Sequence, residues 1–162
     1  MKYSVLLLAL FLIFSCKKEK TKTDYLGIVN ITVSGKEEAI PHFEKGLLLL
    51  HSFEYEDARE EFIAAQKEDP LMPMSYWGEA MTYNHSLWGE QNYDNGIAAL
   101  KHLEDINLEK SATELERDFI KAAQILYQPK IEKTERDVTY ADFMEELSEK
   151  YPTNHEVAAF YA

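Results

Sequence analysis

Two histidines recur in the same setting and are the first residues whose side chains could do chemistry. The tripeptide "HSF" at 51–53 is followed 34 residues later by "HSL" at 85–87. Imidazole can act as a metal ligand and as an acid or base near neutral pH. The remaining histidines provide no pair three or four residues apart, the spacing that places two metal ligands on one helix face; they are His42, His102 and His155. The sequence therefore predicts no metal site.

Other catalytic signatures are missing from the chain. There is no phosphate-binding loop, no zinc-binding HExxH helix and no serine nucleophile elbow. The paired acids at 60–61 and 145–146 are interpreted as solvated helix faces. We therefore expect a protein that is not an enzyme, with no catalytic residue and no cofactor.

Cys16 is the only cysteine of the 162-residue chain. It follows a basic start and the apolar run "VLLLALFLIF" at 5–14, which is short for a membrane span but typical of a signal peptide. The ending "IFSC" resembles a bacterial lipobox. That resemblance implies a signal peptide over 1–15 and lipidation of Cys16, with acyl chains as the membrane anchor. An ordinary signal peptide and a buried thiol remain alternatives.

Charge divides the chain after the apolar run. Residues 17–24 are rich in lysine and predict a hydrated tether within a 16–36 linker segment. From residue 25 onward, 12 Lys and Arg face 27 Asp and Glu, a net charge of −15. This acidic body excludes nucleic acid as a partner, because binding it needs a basic face. Lysine directly after Cys16 resembles outer-membrane sorting, so we expect an anchor in that membrane, on either face.

Helical periodicity begins at residue 37, after a short extended segment at 25–35 that is rich in β-branched residues. The pattern predicts an all-α domain over 37–162, cut short within its last helix. A capping box of Ser111 and Glu114 is expected to start the fifth helix, and Asn154 the seventh. The other predicted helices are 37–51, 55–67, 74–85, 94–104 and 135–151.

Residues 39–83 resemble the tetratricopeptide repeat, a 34-residue helix pair with the signature W-x₂-L-G-x₂-Y, A-x₃-F and a closing Pro. In the first unit the matching positions are Gly46, Leu49, Ala58, Phe62 and Pro70, and in the second they are Tyr76, Ala80 and Tyr83. The second unit lacks its closing Pro. The chain also resembles a group of bacterial repeat-containing lipoproteins. The resemblance implies antiparallel helix pairs stacked as a right-handed solenoid that binds a protein or peptide.

A second apolar stripe on the first helix of each unit is the candidate binding groove. Its members share one helix face at matching repeat positions: Phe43, Leu47, Leu50 and His51, then Trp77, Met81, Asn84 and His85. Three interpretations of this stripe are compared: a groove filled by the chain itself, such as by residues 25–33, a partner groove, and a metal site. The metal site is the least favoured, because His51 and His85 without a third ligand make a poor zinc site. The alternative function is ligand capture, for example of a glycan stacked on Trp77, Trp88 or Tyr93.

Overall fold

The fold is that of a computed structural model, which describes residues 26–162. The signal peptide, Cys16 and the lysine-rich tether lie outside the described residues. Within 26–162 the chain is mostly helical, which confirms the predicted all-α class. No helix in this part combines the length and the apolar character needed to cross a bilayer.

Eight α-helices and one very short hairpin follow one another along the described chain. The helices are α1 (Ile40–His51), α2 (Tyr55–Glu68), α3 (Pro73–Met81), α4 (Tyr93–Lys101), α5 (Leu108–Ser111), α6 (Glu114–Leu126), α7 (Lys133–Lys150) and α8 (His155–Tyr161). Between α3 and α4, strands β1 (Asn84–His85) and β2 (Glu90–Gln91) pair antiparallel and flank a 3-10 turn. A second 3-10 turn, His102–Asp105, extends α4.

Local capping explains where α6 and α8 begin. Thr113 accepts a hydrogen bond from the backbone N–H of Glu116, whose carboxylate accepts one from the Thr113 N–H in return. The predicted capping box of Ser111 and Glu114 is therefore wrong by two residues, because Ser111 ends the short helix α5. Asn154 caps α8 as expected, accepting from the Val157 N–H at 3.0 Å.

Helix α3 ends at Met81, although the periodicity predicts a helix to residue 85. The hydroxyl of Thr82 donates to the carbonyl of Glu79 at 2.7 Å, a local bond that competes with helix continuation. The carbonyl of Tyr83 then accepts from the Asn92 N–H across the hairpin. His85 consequently lies in a strand, whereas His51 ends a helix, so the two histidines are not structurally equivalent.

The core forms one continuous apolar cluster that involves every helix from α1 to α8 except the short α5, which adds a partly buried Leu108. Helices adjacent in sequence pack on one another in the α1–α2, α2–α3, α3–α4, α6–α7 and α7–α8 pairs. Helix α3 also contacts α1 and α6, which places it at the centre of the fold. Consistent with this position, eight of its nine residues are buried.

Two glycines let helices approach the ring of Phe62 closely. The backbone of Gly46 on α1 faces this ring from one side, and Gly78 on α3 faces it as well. A third glycine, Gly96 on α4, makes room for the ring of Tyr127 in the same way. Glycine is a poor helix former, so Gly96 makes α4 harder to predict from the sequence. It is needed there because it allows Tyr127 to pack closely against α4.

Hydrogen bonds fix the C-terminal end of the extended segment, whose described part is residues 26–36. Ser34 donates through its N–H and its hydroxyl to the buried carboxylate of Glu116, at 2.6 and 2.7 Å. The N–H of Lys36 donates to Asp69 at 2.9 Å. Ile31 and Val33 join the core. The segment thus connects the start of α6 with the end of α2.

Candidate functional site

The inner part of the predicted groove is closed by the chain itself. Phe43, Leu47 and Trp77 are at most 2% exposed. The Trp77 ring packs against Phe119 of α6 and Phe160 of α8, at centroid distances of 5.4 and 5.2 Å. These three residues are therefore core residues in the structure and offer no surface to a partner. Helices α6 and α8 therefore cover the Trp77 part of the groove, so the described residues 26–33 are not its only cover.

The outer part of the same stripe borders a cavity of about 570 Å³. We call this space the rim cavity. Leu50, His51, Met81 and Asn84 line it from α1, α3 and β1. Its remaining lining residues come from the loops beside them and from α6, α7 and the C-terminal residues: Phe53, Tyr55, Ser86, Leu87, Leu126, Asp137, Tyr140, Ala159, Phe160 and Ala162. The predicted stripe thus divides into a packed half and a half that faces open space.

Phe53 and Tyr55 line the rim cavity, and Trp88, which does not line it, packs on both. We call these three rings the aromatic rim. The Trp88 ring lies 5.9 Å from Phe53 at 86° and 6.2 Å from Tyr55 at 78°. Phe53 and Tyr55 are 6.3 Å apart at 62°. Phe53 and Trp88 remain 54% and 57% exposed. Soluble proteins rarely expose several large apolar rings together without a binding role.

Backbone geometry holds the aromatic rim outward. Phe53 has a φ of +61°, a left-handed conformation that is a genuine outlier for a bulky residue. It follows Ser52, the residue that ends α1. Trp88 ends the 3-10 turn of the hairpin, and Gly89 behind it takes the left-handed conformation that reverses the chain. Such backbone strain is typical of functional sites.

Three titratable groups of the rim cavity, on His51, Asp137 and Tyr140, have partners within the chain. His51 Nε2 lies 2.7 Å from Glu156 Oε2, which links α1 to α8. Asp137 accepts from Lys133 at 2.6 Å. Tyr140 donates to the carbonyl of Phe160 at 3.4 Å, and burial raises the pKa of Tyr140, so its hydroxyl stays protonated at neutral pH. The cavity therefore presents neutral or paired groups beside apolar walls.

The two recurring histidines face different neighbours. His51 packs against the ring of Phe160 at 5.1 Å. His85 stacks on Tyr55 at 4.0 Å and shares a hydrogen bond with the Thr82 carbonyl. Within residues 26–162, no group of three or more His, Cys, Asp or Glu side chains is placed to hold a metal ion. The repeated "HS" therefore has two separate structural roles.

The predicted ligand-stacking aromatics differ widely in exposure. Trp77 is buried, so its suggested role as a sugar platform is wrong. Tyr93 is half-buried and lies under the Arg136 guanidinium at 4.5 Å. Trp88 alone of the three is largely exposed. Sequence reasoning missed Phe53, Tyr55 and Leu87 as its neighbours. The sequence did contain one sign of an exposed aromatic residue: a Phe lies in the turn between two predicted helices, and buried core residues are uncommon in turns.

No family model, curated protein or solved structure matches this chain. The geometry of the candidate site is therefore the basis for assigning it a function.

Proposed function

We propose that this chain is a non-catalytic binding protein that captures a protein or peptide partner at the rim cavity. Its helices belong to a tetratricopeptide-like right-handed solenoid held at a bacterial membrane by a lipid on Cys16. Support for the repeat comes from Gly46, which meets Phe62 as the signature positions of one helix pair would. Further support is the packing of helices adjacent in sequence.

One observation carries the proposal: the aromatic rim is exposed beside a cavity of a suitable size for ligand binding. Ligand cavities commonly measure about 300–1,000 Å³, and the rim cavity falls in this range at about 570 Å³. Large aromatic residues are over-represented among the residues that dominate binding energy. A partner side chain that entered the cavity would be surrounded by Leu50, Met81 and Phe160, while Phe53 and Trp88 contacted the flanking backbone.

Replacing Trp88 with alanine is expected to weaken partner capture about thirtyfold without unfolding the protein. Loss of an aromatic binding contact costs about 2 kcal/mol or more of binding energy. Trp88 is 57% exposed, so its removal should cost folding free energy mainly through its contacts with Phe53 and Tyr55, at about 0.5–1.5 kcal/mol for an aromatic pair. The measurement is panning of a random peptide library on the full chain in detergent, followed by titration of the selected peptides.

Leu71→Ala is the matched control, since Leu71 is 62% exposed in the loop before α3 and does not line the rim cavity. Selected peptides should bind this variant as tightly as the wild-type chain. Equal binding of those peptides to wild-type and Trp88→Ala chains would place capture elsewhere on the surface. Failure to select any peptide would remove the support for a peptide partner.

Glycan capture is a second candidate function, favoured by the exposure of Trp88. Its ring could stack on the apolar face of a sugar. Asn84 and Gln91 lie nearby on the hairpin, and the Gln91 amide donates to Asn84 Oδ1 at 3.0 Å. A glycan array probed with the same two variants separates the candidates, because Trp88-dependent binding to sugars and not to peptides would favour this function.

Cys16→Ser is expected to release the protein from the membrane fraction. The lipobox-like "IFSC" and the uniqueness of Cys16 motivate this proposal, and acyl chains supply the anchoring energy at about 0.8 kcal/mol for each buried methylene. The measurement is labelled fatty-acid incorporation and fractionation in a Gram-negative host. Wild-type protein should carry the label in the outer-membrane fraction. Identical partitioning of both proteins, with no label in either, would contradict lipidation.

A further inference from the structure

We propose that the aromatic rim binds a cation, and specifically the guanidinium group of an arginine in a basic segment of the partner. This inference rests on the proposed function, since it names the chemistry that a captured peptide would bring to the rim cavity. Three observations support it: the geometry of the three rings, the charge of the residues around them, and the contacts that arginines of this chain make with other aromatic rings.

The three rings pack on one another and leave ring surface exposed. Their mutual centroid distances are 5.9, 6.2 and 6.3 Å, and all three contacts are edge-on. His85 stacks on Tyr55, so the exposed ring surface belongs mainly to Phe53 and Trp88, which are 54% and 57% exposed. A cation within about 6 Å of such an exposed ring face gains cation–π energy, and the gain is largest for Trp.

Two arginines of this chain already stack on single aromatic rings. The Arg59 guanidinium lies over Tyr83 at 4.2 Å, and that of Arg136 lies over Tyr93 at 4.5 Å. An exposed ring of the aromatic rim offers the same kind of face to an arginine of a partner. None of the cation–π contacts found among residues 26–162 involves the three rings of the aromatic rim.

Local charge favours a cation at this position. The two stretches that carry the aromatic rim, 46–58 and 68–100, contain no lysine or arginine, and the arginine that follows the first of them, Arg59, is engaged with Thr82 and Tyr83. Acidic residues flank the rings directly in sequence: Glu54 and Glu56 around Tyr55, and Glu90 after Trp88. All three are exposed. Among residues 26–162, no lysine or arginine lines the rim cavity either. A basic ligand would thus meet an attractive field, whereas an acidic one would be repelled.

Arginine fits this site better than lysine does. Its planar guanidinium stacks on aromatic faces and is weakly hydrated, so that it loses less hydration when it leaves water. Its three-carbon stem is apolar and could pack along Leu87, which lines the rim cavity and is 69% exposed. An arginine side chain would therefore use both the rings and the apolar wall beside them.

The test uses the two tryptophans of the chain as independent reporters. The full chain is labelled with 5-fluorotryptophan in a nonionic detergent, and Trp88→Phe assigns the two fluorine resonances. The probe is the capped tripeptide Gly-Arg-Gly, and its neutral isostere Gly-citrulline-Gly is the matched ligand control. We expect saturable movement of the Trp88 resonance with arginine and about five- to thirtyfold weaker binding of the citrulline peptide. The buried Trp77 resonance should stay in place.

Two variants keep the test independent of folding. Phe53→Gly removes one ring and suits the left-handed backbone at that position, so it should weaken arginine binding while the chain stays folded. Leu71→Ala should leave binding unchanged. Equal binding of arginine and citrulline peptides would overturn the cation assignment, and tighter binding of a lysine tripeptide would overturn the choice of guanidinium.

The cation assignment and the proposed function can fail separately. If library peptides bind in a Trp88-dependent way but arginine gains nothing over citrulline, only the cation assignment is wrong. If no peptide of any composition moves the Trp88 resonance, both the cation assignment and the proposed function are wrong.

Discussion

Gly78→Ala is expected to destabilise the protein severely, by about 3 kcal/mol or more, because it overpacks the core. An added Cβ would lie 2.3 Å from Cε1 of Phe62 and 2.5 Å from two further ring atoms. The ring cannot retreat, since Gly46 of α1 approaches it as well and Phe43 packs on it at 5.7 Å. The measurement is the free energy of unfolding in denaturant, where a loss of this size is a large fraction of a typical 5–15 kcal/mol.

Whether Gly78→Ala raises or lowers the free energy of unfolding shows whether this glycine is packed or exposed. In an exposed helix the same substitution would stabilise by about 1 kcal/mol, because alanine is the better helix former. Gly46→Ala should cost less than Gly78→Ala, since its Cβ would meet the ring at 2.9 Å. The double variant Gly78→Ala/Phe62→Leu should recover part of the loss, because the smaller side chain leaves space. Unchanged or increased stability of Gly78→Ala would contradict the packing of α3 on α2.

Glu116→Ala should cost about 3 kcal/mol of folding free energy and release the segment before α1. The buried carboxylate of Glu116 accepts from the Ser34 N–H, the Ser34 hydroxyl and the Thr113 N–H, all within 2.6–2.7 Å. Hydrogen bonds to a charged group contribute roughly 1.5–3 kcal/mol, and buried donors left unpaired add their own cost. Faster hydrogen exchange of the amides around Ile31 and Val33 should accompany the loss of stability.

Glu114 provides the matched control on the same helix turn. It is exposed, and its carboxylate pairs with Lys150 at 2.7 Å on the surface. Glu114→Ala should therefore have little effect, as is usual for solvent-exposed ion pairs. Slow exchange around Ile31 in the Glu116→Ala protein would show that other contacts hold the segment. A large effect of Glu114→Ala would show that this helix end matters for a different reason.

Much of the fold could be predicted from local sequence because helix signals are local. Apolar spacing indicated α2 and α6 closely, and Pro70 and Asn154 marked an end and a start. The errors lie where the signal is ambiguous. Two overlapping S/T-x-x-E patterns precede α6, and local sequence does not distinguish them; the structure uses the second because the short α5 occupies the first. Tyr83 continues the helix face of Tyr76 and Ala80, but hairpin bonds to the chain beyond Gly89 decide the structure of residues 82–85.

The candidate site depended far more on contacts between distant residues. The stripe on α1 and α3 was visible in the sequence as a second apolar face, and a second face needs a cover. Sequence periodicity cannot say which element supplies that cover. Phe119 and Phe160 provide it for Trp77, from 42 and 83 positions further along. The same contacts leave Leu50 and Met81 beside open space.

The sequence by itself determined the helical class, most of the helix bounds, the acidic body and the position of the one cysteine. These properties follow from composition and from interactions between residues a few positions apart. Only the tertiary structure decided that Phe53, Tyr55 and Trp88 meet at one cavity mouth while Trp77 is buried. Phe53 comes from the turn after α1 and Tyr55 begins α2, whereas Trp88 comes from a hairpin more than thirty residues later. Their meeting requires α1, α2 and α3 to pack together, and the close approach of Gly46 and Gly78 to Phe62 permits that packing.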